Sequence, residues 1–197
     1  MKGKTLEQFD IDEIAYEDEI AKAFNKALHF LSYQMRSEYE VKKKLLDAGH
    51  GEAVVLEAIR KLENLGFLND ETYSKALLET KKRTMKKGPR AIRQDLKKKG
   101  IDKSLQDEVL ESFTYEEQLD IAMQLAEKEV RAGNRKTPTQ VKQKIQDVLM
   151  RKGYSFSIVS DVLERIQLER EEDEWADMIA AQGEKIWRKF AAKFSGT

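Results

Sequence analysis

Residues 88–101 read GPRAIRQDLKKKGI, and this stretch contains the pattern that decides the fold. Its second residue is a proline, which is favoured at the first position of a helix because its missing N–H would have no partner there. Ile92 and Leu96 are four residues apart, so they share one face of that helix. Gly100 follows, and a glycine commonly ends a helix. The stretch therefore predicts a short amphipathic helix over 90–99.

The same pattern occurs three times along the chain. Gly49, Gly100 and Gly153 are spaced 51 and 53 residues apart, and aliphatic residues recur at fixed distances from each of them. Four columns of aliphatic residues recur, eight and four residues before each glycine and five and ten residues after it. In that order they are Val41/Ile92/Ile145, Leu45/Leu96/Leu149, Val54/Leu105/Ile158 and Ile59/Leu110/Leu163. Each glycine is therefore the turn of a predicted helical hairpin.

A longer apolar-periodic helix precedes each hairpin, which makes three tandem three-helix units. The predicted helices are 17–33, 38–48, 52–65, 70–87, 90–99, 103–112, 115–132, 138–152, 156–168 and 172–193. Capping boxes are predicted at Ser37/Glu40, Thr114/Glu117 and Thr137/Gln140. A period near 50 residues is typical of helical arrays. We expect an all-α, elongated and curved array.

The predicted domains are 1–67 (an N-terminal extension and the first unit), 68–113, 114–168 and a C-terminal helix in 169–197. That last helix has an apolar face that includes Trp175, Trp187 and Phe190, and Gly183 could break it. It either caps the array or begins a fourth unit. We favour the second interpretation and expect the sequence to be a piece of a longer protein.

The composition excludes several classes of protein. The 197 residues include no cysteine, which excludes disulfides, thiolate metal sites and a cysteine nucleophile. Hydrophobic residues make up 40% and charged residues 37%, too apolar a balance for a fully disordered chain. No apolar run is long enough for a membrane span, and the N-terminus does not resemble a signal peptide. We expect a cytoplasmic monomer.

The net charge of zero hides an uneven distribution. Residues 81–103 contain eleven Lys or Arg residues and two acids, whereas 1–20 contain seven acids and two lysines. Residues 164–184 contain eight acids and two arginines. The basic middle is either solvated helix surface or a contact surface for a polyanion or an acidic protein.

Candidate catalytic chemistry is sparse. His29 and His50 are not at ligand spacing from each other, so we interpret His29 as a packed or surface residue. The consecutive acids 171–174 fan around a helix start, where the helix dipole favours them. The sequence has no phosphate-binding glycine loop and no serine–histidine constellation. We predict a non-enzyme with no catalytic residues, cofactor or metal.

The candidate binding residues are cations of the basic middle. At 100° per residue, Arg90, Arg93 and Lys97 fall within about 60° of one another on the 90–99 helix, on a face that adjoins its apolar stripe. The equivalent positions of the other units do not place three cations together, so the repeat itself does not demand this stripe. Arginine adds bidentate hydrogen bonding to carboxylate or phosphate. Lys98, on the same helix, is assigned with them.

Three further cations are weaker candidates. Lys86 and Lys87 are predicted near the end of the preceding helix, where cations also stabilise the helix dipole. Arg36 precedes a capping box, where it either anchors the turn or contacts a partner. The sequence leaves both interpretations open.

Several motifs resemble the RecX family of regulatory proteins. They are 31–40 (LSYQMRSEYE), 62–70 (LENLGFLND) with Tyr73, 87–90 (KGPR), 96–101 (LKKKGI) and 149–155 (LMRKGYS). The resemblance covers roughly residues 20–166, in the family's order and spacing. Gln34 departs from it, since the family often has a basic residue there. Some longer members carry a fourth unit.

The resemblance implies a modulator of the RecA recombinase, active in recombination, repair and the SOS response. Members are similar in lying in the groove of the RecA–DNA filament, where they lower its ATPase, strand-exchange and coprotease activities. The alternative is a helical-repeat protein that binds nucleic acid directly through its basic central repeat. Residues 81–103 contain no Phe, Tyr or Trp, which disfavours base stacking there but leaves phosphate contact open.

Overall fold

The computed structural model describes residues 8–133, 137–166 and 172–194, and within these ranges the chain forms ten α-helices and no strand. The helices are α1 (Gln8–Tyr33), α2 (Glu38–Asp47), α3 (Glu52–Asn64), α4 (Asp70–Arg83), α5 (Pro89–Lys98), α6 (Lys103–Glu111), α7 (Tyr115–Ala132), α8 (Pro138–Lys152), α9 (Phe156–Arg165) and α10 (Glu172–Phe194). Two compact units divide the chain, Met1–Phe113 and Thr114–Thr197. The predicted all-helical fold is confirmed.

The repeated apolar columns form the cores. The six residues that stand eight and four positions before the turn glycines are all 0% exposed: Val41, Leu45, Ile92, Leu96, Ile145 and Leu149. The residues after the glycines are buried or half-buried, from Ile158 at 0% exposed to the half-buried Leu105 and Leu163. Full burial of a Leu or Ile side chain stabilises a protein by about 1.5–3 kcal/mol. The aliphatic residues that recur at fixed distances from the turn glycines in the sequence are therefore the residues that form the apolar cores.

The turn glycines adopt the backbone conformation that the hairpins need. Gly49, Gly66, Gly100 and Gly153 all have positive φ, between 73° and 90°. At Gly100 the requirement is twofold, because a Cβ there would lie 2.3 Å from the Cβ of Tyr39 in α2. The turn after α5 is thus packed directly against the first repeat.

Helix α1 begins earlier than predicted, at Gln8 rather than at residue 17. The extra turns have no inward apolar stripe, and Ile11 and Ile14 are 46% and 57% exposed. No proline or glycine interrupts residues 8–19, so helix propensity extends the helix where the apolar periodicity does not predict it.

Helix α4 ends earlier than predicted, at Arg83 rather than at residue 87. The N–H of Lys87 donates to the carbonyl of Lys81, and Lys86 has a φ of 50°. The residue that precedes Pro89 is also steered out of helical backbone, so the helix must end before it. Lys86 and Lys87 therefore lie in the loop before α5, and the expectation that they end the helix is wrong.

The final helix runs without a break through Gly183, so the break considered there is not present. Ile179, Ile186 and Trp187 are 61%, 68% and 69% exposed, as an apolar face without a neighbouring core would be. Helix α9 ends earlier than predicted, at Arg165 rather than at residue 168, and Ile166 already has extended backbone. The side chain of Trp175 lies outside the described residues.

The three predicted N-caps are present, and those of α2 and α8 are complete capping boxes. Ser37 and Thr137 form complete capping boxes with Glu40 and Gln140. Thr114 caps α7, because its hydroxyl accepts from the N–H of Glu117. Among the described helices, none is long and apolar enough to cross a membrane.

Candidate interaction surface

Helix α5 separates its core face from its charged face. Ile92 and Leu96 are completely buried, whereas Arg90, Arg93 and Lys97 are exposed together on another face. Lys98 is also exposed. The sequence-derived stripe is therefore present on the surface of the first compact unit.

The cations of this stripe differ in their partners. The guanidinium of Arg93 donates to the carboxylate of Asp107 in α6, in a pair whose two side chains are 44% and 45% exposed. Within the described residues, neither Arg90 nor Lys97 pairs with an acid. Two cations of the stripe can thus meet a ligand without breaking an ion pair.

The loop lysine Lys87 is held by the helix that it precedes. Its ammonium lies 2.6 Å from the carboxylate of Asp95, and the ammonium of Lys81 lies 3.8 Å from the same carboxylate. These side chains are only 20–27% exposed. Lys87 therefore acts first as a partner of Asp95, while Lys86 is half-buried beside it in the chain.

Arg36 stands apart from the stripe, between α1 and α2. Its guanidinium lies 4.5 Å from the centre of the Phe30 ring and 3.5 Å from a carboxylate oxygen of Glu40. The side-chain amide of Gln34 faces the same guanidinium. The side chain is 23% exposed. The structure thus supports the anchoring interpretation of Arg36 more directly than the binding interpretation.

Glu40 connects the first and second repeats. Its carboxylate accepts from the ammonium of Lys99 at 2.6 Å, from the hydroxyl of Tyr73 at 3.2 Å and from the N–H of Ser37 at 3.3 Å. Burial acts to raise the pKa of this carboxyl, but the hydrogen bonds from Lys99 and Ser37 prevail and hold the pKa below its usual value. The hydroxyl of Ser37 also donates to the carbonyl of Lys99 at 2.6 Å.

A second contact joins the starts of α2 and α4. The N–H of Glu38 donates to a carboxylate oxygen of Asp70 at 2.8 Å. Burial raises the pKa of the Asp70 carboxyl above its usual value, and the backbone hydrogen bond only partly opposes this. The repeats are therefore joined by polar contacts at helix ends as well as by apolar packing.

Sequence reasoning missed the role of Glu40 and Lys99. Glu40 was already explained by a local capping box, and Lys99 is 59 residues away in sequence. A basic residue directly before a turn glycine, opposite an acid in the preceding repeat, is the signal that could have found this pair. Among the described residues, no cluster of His, Asp and Glu could hold a metal ion.

The fold and the site define a class of protein: tandem helical-repeat proteins that present a charged contact surface. The defining features are three helices per repeat, glycine turns and a cationic face on the middle repeat. Family models for the first, second and third three-helix domains of RecX match residues 23–62, 69–110 and 116–163. The chain belongs to the RecX family. The matched segments lie inside the three predicted units, whose bounds stay predictions.

Relatives and solved structures agree with this assignment. The chain is 38% identical to the regulatory protein RecX of Bacillus subtilis and 33% identical to that of Halalkalibacterium halodurans, over 96% and 99% of its length and 72% and 73% of theirs. It is similar to a crystal structure of RecX from Lactobacillus salivarius, with a TM-score of 0.71, 34% identity and coverage of 76% of this chain and 99% of that one. The Bacillus subtilis and Halalkalibacterium halodurans relatives are named as regulatory proteins.

Proposed function

We propose that this chain regulates recombination by binding the RecA filament on DNA and lowering its ATPase, strand-exchange and coprotease activities. Family membership supports the regulatory class. The observation that supports this binding site is the exposed face of α5, where Arg90 and Lys97 lie on either side of Arg93 along the helix.

Electrostatics makes this face suited to a filament. An exposed ion pair contributes about 0–1 kcal/mol, so one cation gives little binding. Several cations that face a polyanion act together, and arginine can bind a carboxylate or a phosphate through two hydrogen bonds. A filament of protein on DNA presents both groups. Binding should therefore weaken as the salt concentration rises.

The test is charge reversal at the two unpaired cations. The double variant Arg90→Glu/Lys97→Glu leaves the Arg93–Asp107 ion pair intact. Reversing Arg93 as well would place a glutamate opposite Asp107 and so bring two acids together. The matched control is Lys142→Glu/Arg151→Glu, which makes the same charge change at exposed positions of α8.

The readout is the DNA-dependent ATPase of preformed RecA filaments. The parent chain and the α8 variant should suppress it, and the α5 variant should need at least about tenfold more protein at low salt, the loss expected from removing about 1.4 kcal/mol of binding. An α5 variant that keeps its helicity and suppresses the ATPase as well as the parent would refute the assignment. An unaffected ATPase with the parent chain would refute the function.

Direct binding of nucleic acid through the same face is the second candidate. The absence of an acidic partner for Arg90 and Lys97 within the described residues favours it, because phosphates could take that place. Binding of bare single-stranded DNA, measured at two salt concentrations with the same variants, separates the two. Loss of DNA binding together with filament binding supports direct contact, whereas loss of filament binding alone supports a protein contact.

A further inference from the structure

The first repeat contains an open cleft that the α5 face does not include. It has a volume of about 630 Å³ and lies along the second half of α1, with one wall from α2. Its lining residues are Asn25, Lys26, His29, Phe30, Tyr33 and Lys44. This volume is within the range of small-ligand sites, about 300–1,000 Å³.

The charge of the cleft has one sign. Lys26 and Lys44 contribute two ammonium groups, and no carboxylate is among the lining residues. The ammonium of Lys44 lies 5.7 Å from the centre of the Phe30 ring. In a chain with equal numbers of acids and bases, a cleft lined by two cations and no acid favours an anionic ligand.

His29 and Tyr33 are exposed in the cleft, whereas Phe30 is half-buried and packs against the core of the first repeat. The rings of His29 and Tyr33 lie 5.1 Å apart at an angle of 58°, and the Tyr33 hydroxyl lies 3.5 Å from Nε2 of His29. Tyr33 is nevertheless 74% exposed, at the last residue of α1. An exposed ring that is steadied on one side has its other surface available for a planar ligand.

A ligand that combines a planar ring with negative charge meets both features. A nucleotide of a single strand does so, because its unpaired base can stack on an aromatic side chain while its phosphates bind lysine. A base inside a duplex cannot reach such a ring without leaving its stack. We propose that this cleft binds one nucleotide of single-stranded nucleic acid, with the base on Tyr33 and the phosphates on Lys26 and Lys44.

This site is separate from the proposed filament contact and does not rest on it. The filament face lies on α5, whereas the cleft belongs to α1 and α2. Base stacking is also a different chemistry from that of α5, whose surroundings in 81–103 contain no Phe, Tyr or Trp. A failure of one proposal therefore leaves the other standing.

The test measures binding of fluorescent 15-nucleotide strands to the full chain by anisotropy. Oligo-dT, oligo-U and an abasic strand of equal length separate base contact from phosphate contact. One stacked base accounts for about five- to more than a hundredfold in affinity. Tyr33→Ala should therefore weaken binding of oligo-dT or oligo-U at least about fivefold and leave the abasic strand unaffected. Tyr33→Phe should bind as the parent does.

The lysines should behave differently from the tyrosine. Lys26→Ala/Lys44→Ala should weaken all strands and flatten the slope of log affinity against log salt by about 1.4, at about 0.7 for each phosphate that the protein no longer neutralises. The matched aromatic control is Phe156→Ala in the second compact unit, where the ring is 68% exposed. It should change nothing.

Three results would overturn the proposal. The first is equal binding of base-bearing and abasic strands by the parent chain. The second is a Tyr33→Ala variant that binds oligo-dT as the parent does while keeping its helicity. The third is binding of fluorescent polyglutamate as tightly as oligo-dT with the same dependence on Tyr33, which would assign the cleft to an acidic protein segment.

Discussion

A methyl group added at Gly100 tests how tightly the second repeat is packed on the first. Gly100→Ala places a Cβ 2.3 Å from Cβ and 2.5 Å from Cγ of Tyr39. Gly49→Ala is the matched control, because Gly49 has a similar φ of 89° at the equivalent turn and nothing lies within 4 Å of the added Cβ. Both substitutions incur the same backbone strain, so their difference reports the contact with Tyr39.

The magnitude follows from the geometry. Alanine in left-handed backbone costs about 1–2 kcal/mol in either variant. Carbon atoms pack at about 3.5–4.0 Å, so the turn after α5 must move by about 1 Å or more in Gly100→Ala. That movement strains the 2.6 Å hydrogen bond from Ser37 to the carbonyl of Lys99. Overpacking costs about 1–3 kcal/mol and a broken hydrogen bond about 1 kcal/mol, so Gly100→Ala should exceed Gly49→Ala by about 2–4 kcal/mol.

Thermal unfolding followed by circular dichroism measures this difference. Both glycines lie in the compact unit Met1–Phe113, so one transition reports both variants. At about 4 °C per kcal/mol, Gly100→Ala should melt about 8–16 °C below Gly49→Ala. Equal melting temperatures would refute the packing argument. In a Tyr39→Gly background, which removes both clashing atoms, the two alanine substitutions should cost the same.

Three further predictions concern the same compact unit. Glu40→Gln should destabilise it by about 1–3 kcal/mol at pH 7 in urea unfolding. The folded-state pKa of Glu40 is lowered, so the difference in unfolding free energy between parent and variant should be complete above the unfolded-state pKa. It should vanish as the pH falls through the folded-state pKa. Asp70→Asn should leave the urea midpoint at pH 7 unchanged or raised, because a carboxyl with a raised pKa loses its stabilising contribution as the pH rises. The amide oxygen of the variant can still accept from the N–H of Glu38. A lowered midpoint would show that the charge of Asp70 itself stabilises the fold. Leu96→Asp should cost about 4 kcal/mol or more and abolish the unit's cooperative transition, whereas Gln94→Asp at an exposed position of the same helix should have little effect on it.

The repeat columns were predictable from sequence because burial imposes a period. Ile92 and Leu96 occupy two positions that are fully buried in each repeat. In the sequence, both positions hold aliphatic residues at fixed distances before a turn glycine. The start of α1 was not predictable in this way, because its exposed turns bury nothing and so leave no period. The elongated, curved form of the array stays a prediction.

The candidate sites were only partly predictable. Helical spacing placed Arg90, Arg93 and Lys97 on one face, and this requires no tertiary information. The partner of Arg93 in α6 and the cleft at Tyr33 depend on which helices meet, which no local pattern records. Charge counts were misleading for this reason, since Lys87 belongs to the basic middle yet is bound to Asp95.

The contacts at the end of α5 connect the architecture to the proposed function. The basic face is fixed at one side by the pair of Arg93 with Asp107 and at the C-terminal end by the bond from Lys99 to Glu40. The second bond crosses from one repeat to the next, and the close approach of Gly100 to Tyr39 lies beside it. A loosened junction would therefore move the cations without changing their number. A charge reversal in α5 and a substitution at Glu40 should both weaken filament binding, but only the first should reduce its dependence on salt, because only the first removes charge from the binding face.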